Sequence, residues 1–289
     1  MAASQPSPVS SQGWQWKHPS VIPGFGLSLG LALTMLTLIV LIPLAALALR
    51  AAALGPSGFY DVISDPRVFA ALKISFLTAL AAAIANAIFG TLTAWVLVRY
   101  NFFGRRIFDA LIDLPFAMPT AVAGIALVNV YSPKGLIGEW LAPLGIKVAY
   151  TPLGIIVALI AVGFPFVVRT VQPVLEEISR ETEEVSATLG ANRFQTIFFV
   201  VLPPLIPAIL TGFALALARG VGEYGSVIFI AGNLPFKSEI APLLIVIKLE
   251  EFNYAGATAI AAVMLAVSFL MLFVINGIQS WSQRRFGHG

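Results

Sequence analysis

Residues 74–98 spell ISFLTALAAAIANAIFGTLTAWVLV, a run of 25 residues without Asp, Glu, Lys or Arg. A helix that crosses a bilayer needs about 20 mainly apolar residues. The run is continuously apolar and lacks the alternation of a membrane β-strand. It therefore predicts one membrane-spanning α-helix.

The same pattern recurs along the chain and defines its class. Of 289 residues, 58% are hydrophobic and 11% are charged, and the mean hydropathy is +0.92. Soluble domains carry about 25% charged residues, so the composition is that of a membrane protein. We predict an all-α integral membrane protein whose six spans lie near residues 27–49, 74–98, 114–132, 150–168, 204–231 and 255–277.

The ends of the chain and its overall charge bear on the domain organisation and on the partners that the chain can have. Residues 1–20 predict a short flexible tail, followed by a membrane domain over residues 21–285. The first span is not expected to be a cleavable signal peptide, because its apolar core is longer than the usual length of about 7–15 residues. A net charge of +3 without a basic block does not favour a nucleic-acid partner, and the absence of cysteine excludes disulfides.

The distribution of basic residues predicts the orientation. Six spans place both termini on one side of the membrane. That side carries nine Lys and Arg residues: Lys17, Arg99, Arg105, Arg106, Arg169, Arg180, Arg193, Arg284 and Arg285. The other side carries seven: Arg50, Arg67, Lys73, Lys134, Lys147, Lys237 and Lys248. This bias, with two Arg-Arg pairs on the richer side, favours cytoplasmic termini.

The longest charged segment on the terminal side covers residues 174–203. Its apolar residues Val174, Ile178, Val185 and Leu189 form one narrow stripe if the segment is helical. Gly190 suits the position after a helix, where a positive φ is needed. A second helix then enters the membrane. The pattern indicates either a docking element that projects from the membrane domain or an acidic interfacial loop.

A family resemblance favours the docking element. Glu184 and Gly190, followed by Val200-x-Leu202-Pro203, resemble the EAA motif of ABC importer permeases, E-A-A-x3-G-x9-I-x-L-P. Val185 and Ser186 replace its two alanines and the spacing is intact. The resemblance marks a set of candidate ATPase-coupling residues: Glu184, Ser186, Ala187, Gly190, Leu202 and Pro203.

Four other segments resemble one branch of that family, the T-type subunit of the sulfate/thiosulfate permeases. They are LPFAMPTAVAGIAL (114–127), GFPFVVRTVQPVL (163–175), GEYGSVIFIAGNLPFKSEIAPLLI (222–245) and YAGATAIAAVMLAVSF (254–269). The resemblance covers nearly the whole chain after residue 20. It implies a MetI/ModB-like permease fold, with residues 174–203 as a cytoplasmic coupling-helix loop.

The resemblance also implies the partners. A second permease subunit, a paralogous W-type chain, completes the pathway in the bacterial inner membrane, and a periplasmic sulfate-binding protein delivers the anion. ABC ATPase subunits bind the coupling loops and use ATP and Mg. This chain has no G-x4-G-K-[ST] loop for nucleotide phosphates. We therefore expect it to be non-catalytic, with no cofactor of its own.

An unusual polar stretch, ARGVGEYG, covers residues 218–225. It matches the dinucleotide-binding pattern G-x-G-x-x-G but lies in no βαβ unit, so the match is coincidental. Arg219 and Glu223 are four residues apart and can pair on one helix face. They are either a buried ion pair that fixes helix packing or a part of the anion path. We favour the ion pair because charges at membrane depth commonly pair with one another.

Other classes of function fit less well. Membrane enzymes usually need buried His, Asp or metal-ligand clusters, whereas His18 and His288 lie in the tails and no Asp lies in a predicted span. A secondary transporter should carry internal repeats, which we do not find. The same kind of permease for molybdate, tungstate or another oxyanion stays open. The outer segment from residue 232 to 254 predicts either a re-entrant loop or a loop on the bilayer.

Overall fold

The computed structural model describes residues 24–286, and every regular element in that range is helical. The predicted tail, residues 1–20, lies outside the described residues. Two compact units divide the chain between Leu49 and Arg50. The first contains most of helix α1 (Phe25–Ala53), which includes a π-helical turn at Thr37–Leu41.

The second unit contains the remaining helices, several of them short. In chain order they are α2 (Gly55–Ser64), α3 (Pro66–Arg99), α4 (Arg105–Ile112), α5 (Leu114–Ala117), α6 (Thr120–Tyr131), α7 (Gly138–Leu141), α8 (Pro152–Glu177), α9 (Arg180–Thr188), α10 (Arg193–Val221), α11 (Val227–Ile230), α12 (Ala241–Glu250) and α13 (Tyr254–Phe286). Five helices of the described range are long and apolar enough to cross a membrane: α1, α3, α8, α10 and α13.

The third predicted span is wrong as a continuous helix. Residues 114–132 form the short α5 and the 12-residue α6, with extended backbone at Met118 and Pro119 between them. Pro119 lacks an N–H group and also disfavours helical backbone at the residue before it. The segment is apolar enough for a span, but Pro119 divides it into two short helices.

Two other predicted helices end earlier than expected. The stripe from Val174 to Leu189 is divided, because α8 ends at Glu177 and Ile178 is extended. Ser179 then starts α9, and its side chain accepts a hydrogen bond from the Glu181 N–H at 3.1 Å. The predicted span 204–231 likewise stops at Val221, and the chain resumes a helical turn only at α11.

Helices α3, α8 and α10 form the core of the second unit. Val167 of α8 lies where all three meet. A Cβ atom at Gly90 of α3 would lie 2.9 Å from the Val167 Cβ, and one at Gly212 of α10 would lie 2.8 Å from the Val167 Cα. Small residues at such positions let membrane helices approach closely. This close-packed core holds the two candidate sites in place.

Candidate functional site

The coupling segment, residues 178–203, turns through a glycine corner. Helix α9 ends at Thr188, and Gly190 adopts φ +87°, which confirms the predicted positive φ. The Gly190 N–H donates to the Ala187 carbonyl at 3.0 Å, and the Ala191 N–H donates to the Ser186 carbonyl at 3.1 Å. These two bonds form a Schellman motif, which satisfies the last carbonyls of a helix.

The second half of the coupling segment starts with its own cap. Asn192 accepts a hydrogen bond from the Gln195 N–H at 2.9 Å, and the Gln195 side chain accepts one from the Asn192 N–H at 2.8 Å. This capping box begins α10. A π-helical stretch over Thr196–Val201 follows, directly before Leu202 and Pro203. Prolines have no N–H to donate to a helical carbonyl, and the wider π-helical turn accommodates the missing hydrogen bonds.

One face of the coupling segment is buried and the other is open. Ser186 is the buried residue of α9, and its hydroxyl lies 2.8 Å from that of Thr196, also buried. The open face, which we name the docking face, combines the exposed Glu184 and Ala187 with exposed apolar side chains. The apolar members are Val185, Leu189 and Phe194, with relative exposures of 57%, 83% and 74%.

The coupling segment is also tied to the end of α3 by two arginines. Arg99 donates to the Ile178 carbonyl at 3.0 Å and lies 2.8 Å from the Glu183 carboxylate. In return, Arg180 donates to the Arg99 carbonyl at 2.9 Å. The sequence did not predict this reciprocal contact, because its members lie about 80 residues apart and share no local pattern.

The second candidate site contains Arg219 and Glu223, which form an ion pair in the last turn of α10 and the loop after it. The Glu223 side chain is 2% exposed, and its Oε1 accepts hydrogen bonds from the N–H and the hydroxyl of Ser226, both at 3.0 Å. The Arg219 side chain is 36% exposed. The carboxylate is thus held by three contacts, while part of the guanidinium faces outward.

A neighbouring helix packs directly on this loop. A Cβ atom at Gly124 of α6 would overlap the carbonyl of Ser226, and one at Gly225 would overlap the Thr120 hydroxyl. Backbone therefore approaches backbone where Glu223 is anchored. The broken third span and the Arg219–Glu223 pair belong to one packed region, which the sequence did not indicate.

Two further ion clusters escaped the sequence analysis. Arg67 forms a bidentate pair with the buried Glu239, with N–O distances of 2.8 and 2.7 Å. Arg169 of α8 contacts Asp109 at 2.6 Å and Asp113 at 2.7 Å. The two aspartates are four residues apart on or beside α4, a spacing that aligns them on one face. The spacing of the two aspartates could have predicted a shared cationic partner. No local sequence pattern links Arg67 with Glu239.

The fold and the two sites together define a class: a helical membrane permease with a projecting coupling segment. The chain belongs to the family of binding-protein-dependent transport system inner membrane components, whose sequence model matches residues 86–288. The sulfate transport system permease protein CysT of Escherichia coli K12 is 52% identical over 93% of this chain and 97% of its own length. The protein of that name from Synechocystis is 47% identical over 96% and 97%.

Solved structures agree at the level of the fold. The bacterial ABC transporter involved in the import of alginate has a chain with a TM-score of 0.72 and 17% identity, covering 89% of this chain and 96% of that chain. The MetNI methionine ABC transporter has one with a TM-score of 0.55 and 18% identity, covering 76% and 99%. The chain therefore has the fold of an ABC importer permease, and it is a multi-pass membrane protein.

Proposed function

We propose that this chain is the membrane-spanning subunit of an ATP-driven importer that moves sulfate and thiosulfate into the cytoplasm. The observation that carries the proposal is the 52% identity to a sulfate transport system permease protein, which extends over 97% of that protein's length. Identity at this level over the whole membrane domain supports a shared substrate class, which fold alone does not.

The docking face supports an ATPase partner. Its apolar side chains are exposed beside the charged Glu184, in a segment with fixed backbone geometry at Gly190. An exposed apolar patch rimmed by polar groups typically marks a protein-binding surface. We infer that ABC ATPase subunits bind here, and that ATP and Mg act in those subunits while this chain needs no cofactor. The roles of Ser186, Ala187, Leu202 and Pro203 are to shape this surface.

The remaining partners follow from the proposed transport cycle. A solved relative of this fold is an alginate transporter in complex with its substrate-bound periplasmic protein. By analogy, a periplasmic sulfate-binding protein delivers the anion to this chain and to a paralogous W-type permease subunit. The complex lies in the bacterial inner membrane, with both termini of this chain in the cytoplasm.

Anion uptake in cells tests the proposal directly. A bacterial strain without its own sulfate permeases receives this chain together with its W-type, ATPase and binding-protein partners. We expect it to take up radiolabelled sulfate and thiosulfate, with little uptake of molybdate. Uptake of molybdate but not sulfate would assign the chain to another oxyanion. Uptake that persists when the partner ATPase carries an inactive catalytic site would argue against an ATP-driven importer.

A further inference from the structure

The longest helix within the described residues, α3, connects the two faces of the second unit. Its 34 residues span about 50 Å at 1.5 Å per residue, well beyond the roughly 30 Å of a hydrocarbon core. Its first turn and its last turn therefore lie on opposite sides of the membrane. Each end carries an arginine in a long-range contact: Arg67 at the start and Arg99 at the end.

The Arg99 end holds the coupling segment. The Arg99 side chain is only 9% exposed, and it contacts the carbonyl of Ile178 and the carboxylate of Glu183. Arg180 contacts the Arg99 carbonyl in the opposite direction, so each arginine binds the backbone of the other's segment. The contacts between α9 and α3 are thus independent of the covalent connection through α8.

The Arg67 end holds the outer segment at Glu239. Both oxygens of Glu239 accept a hydrogen bond from Arg67, and the Glu239 side chain is 1% exposed. Two residues further along, the Ala241 N–H donates to the buried Ser75 hydroxyl of α3 at 2.8 Å. A bidentate carboxylate–guanidinium pair fixes orientation as well as distance. The outer segment therefore has a rigid attachment to α3.

Helix α3 also differs from the other two core helices in its prolines. Its only proline, Pro66, lies at its start. By contrast, α8 contains Pro165 and Pro173, and α10 contains Pro207 after a π-helical stretch. Prolines and π-bulges are the usual sites of helix bending. Among the core helices, α3 alone has no proline or π-helical turn in its interior.

We propose that α3 is the strut that couples ATPase movement to the outer face of the permease. The inference rests on the proposed function, since it assumes an ATPase at the docking face. Displacement of the coupling segment moves α3 through Arg99 and Arg180, and α3 then moves the outer segment through Arg67 and Glu239. These four are positioning residues, and none is required to touch the anion.

The outer pair gives the sharper test because about 50 Å of helix separates it from the Arg99 end of α3. We choose Arg67→Lys, which keeps the charge that neutralises Glu239 but loses the bidentate geometry, and Glu239→Gln. The matched control is Lys248→Gln, which breaks the 2.9 Å pair with Glu251 within and just after α12 and leaves the attachment to α3 intact.

The measured quantity is sulfate transported per ATP hydrolysed in proteoliposomes that contain the full complex. Both variants should keep ATP hydrolysis while the ratio falls about fivefold or more, the scale of a typical coupling between sites. The control should keep the wild-type ratio. The exchanged variant Arg67→Glu/Glu239→Arg should recover part of the ratio. Unchanged ratios in Arg67→Lys and Glu239→Gln, beside a transporting wild type, would overturn the strut and leave the proposed function intact.

A second measurement does not depend on which anion is carried. A cysteine at the exposed Lys237 reports the outer segment, in a chain that has no other cysteine. Vanadate trapping of the ATPase should change its labelling rate in the wild-type background, and Arg67→Lys should abolish that change. An equal response in both backgrounds would contradict the strut even if the substrate were not sulfate.

Discussion

The hydroxyl groups of Ser186 and Thr196 lie 2.8 Å apart, joining the two helices on either side of the Gly190 corner. Both residues are buried, and because the Ser186 hydroxyl donates its proton to the Glu183 carbonyl at 2.8 Å, the Thr196 hydroxyl is the donor between the two. The EAA motif has alanine where this chain has Ser186. The corner is therefore held by a side-chain bond in addition to its Schellman motif.

Removing one of these hydroxyls should loosen the corner. In Ser186→Ala, the buried Thr196 hydroxyl loses this partner, and leaving such a group unsatisfied costs about 1–3 kcal/mol. We expect a lower thermal midpoint of the detergent-solubilised complex and weaker ATPase binding. The double variant Ser186→Ala/Thr196→Val removes both groups and should recover much of the loss. Equal midpoints for the single variant and the wild type would contradict this account.

We predict that Gly190 contributes to coupling through its left-handed backbone conformation and not through the space that its missing side chain leaves. A Cβ atom at this position would meet no atom within 4 Å, yet φ is +87°. Left-handed backbone costs other residues roughly 1–2 kcal/mol, and β-branched residues are the least suited. Gly190→Val should weaken ATPase co-purification and sulfate uptake without loss of membrane insertion. Gly190→Asn is the control, because asparagine tolerates this region, and it should be much milder. Normal uptake in Gly190→Val would remove the corner from the coupling mechanism.

The features that the sequence predicted are those encoded within a few residues. Charge-free runs predicted the long helices, and the glycine corner followed from Gly190 and its distance from the charged stretch. The end of α8 was missed although a signal existed: Ser179 is a preferred N-cap residue and the acidic Glu181 follows it. The apolar stripe from Val174 to Leu189 outweighed that signal in the prediction.

Other features depend on neighbours that a single sequence does not reveal. A proline such as Pro119 can kink a helix or divide it, and which of the two occurs depends on what packs beside it. Here the close approach of Gly124 to Ser226 accompanies the division. For the outer segment, the sequence predicts either of two kinds of loop. Within it, Glu239 is held against α3 by Arg67, 172 residues away, a contact that neither kind of loop predicts.

The orientation of the chain is testable through the coupling segment. Glu181 is exposed on α9, and the chain contains no cysteine, so Glu181→Cys introduces a unique reactive thiol. If the termini are cytoplasmic, a membrane-impermeant maleimide should label this thiol in inside-out vesicles and leave it unlabelled in intact spheroplasts. Lys237→Cys, on the outer segment, should show the opposite pattern. Labelling of residue 181 from the periplasmic side would reverse the topology.

The contact between α6 and the loop after α10 predicts a steric effect. A methyl group in Gly124→Ala would overlap the backbone of Ser226, a hydrogen-bond donor to Glu223. Overpacking of this kind costs about 1–3 kcal/mol. We expect reduced complex yield and a lower thermal midpoint. Gly222→Ala is the control, since its Cβ would meet nothing within 4 Å. Equal yields for the two variants would show that the loop moves freely.

Variants of Arg219 and Glu223 can show whether this ion pair only stabilises helix packing or also takes part in anion transport. Glu223 is buried and held by Arg219 and by two groups of Ser226, whereas Arg219 is partly exposed. Breaking a buried pair by removing one partner costs about 3–5 kcal/mol. If the pair is purely structural, both single alanine variants should assemble poorly, and the double variant should recover in part.

If Arg219 also helps to attract or guide the anion, the two single variants should differ. Arg219→Ala removes a partly exposed cation, so the complex should assemble while sulfate flux falls. Glu223→Ala should lose yield, because the loop loses its anchor, but the complex that does assemble should retain flux, since losing a negative charge does not repel an anion. Complex yield and flux per assembled complex, measured for the two singles and the double, decide between these outcomes. Normal yield together with normal flux in Arg219→Ala would contradict both the packing role and the anion-guiding role, since each requires that removing the side chain lowers one of the two.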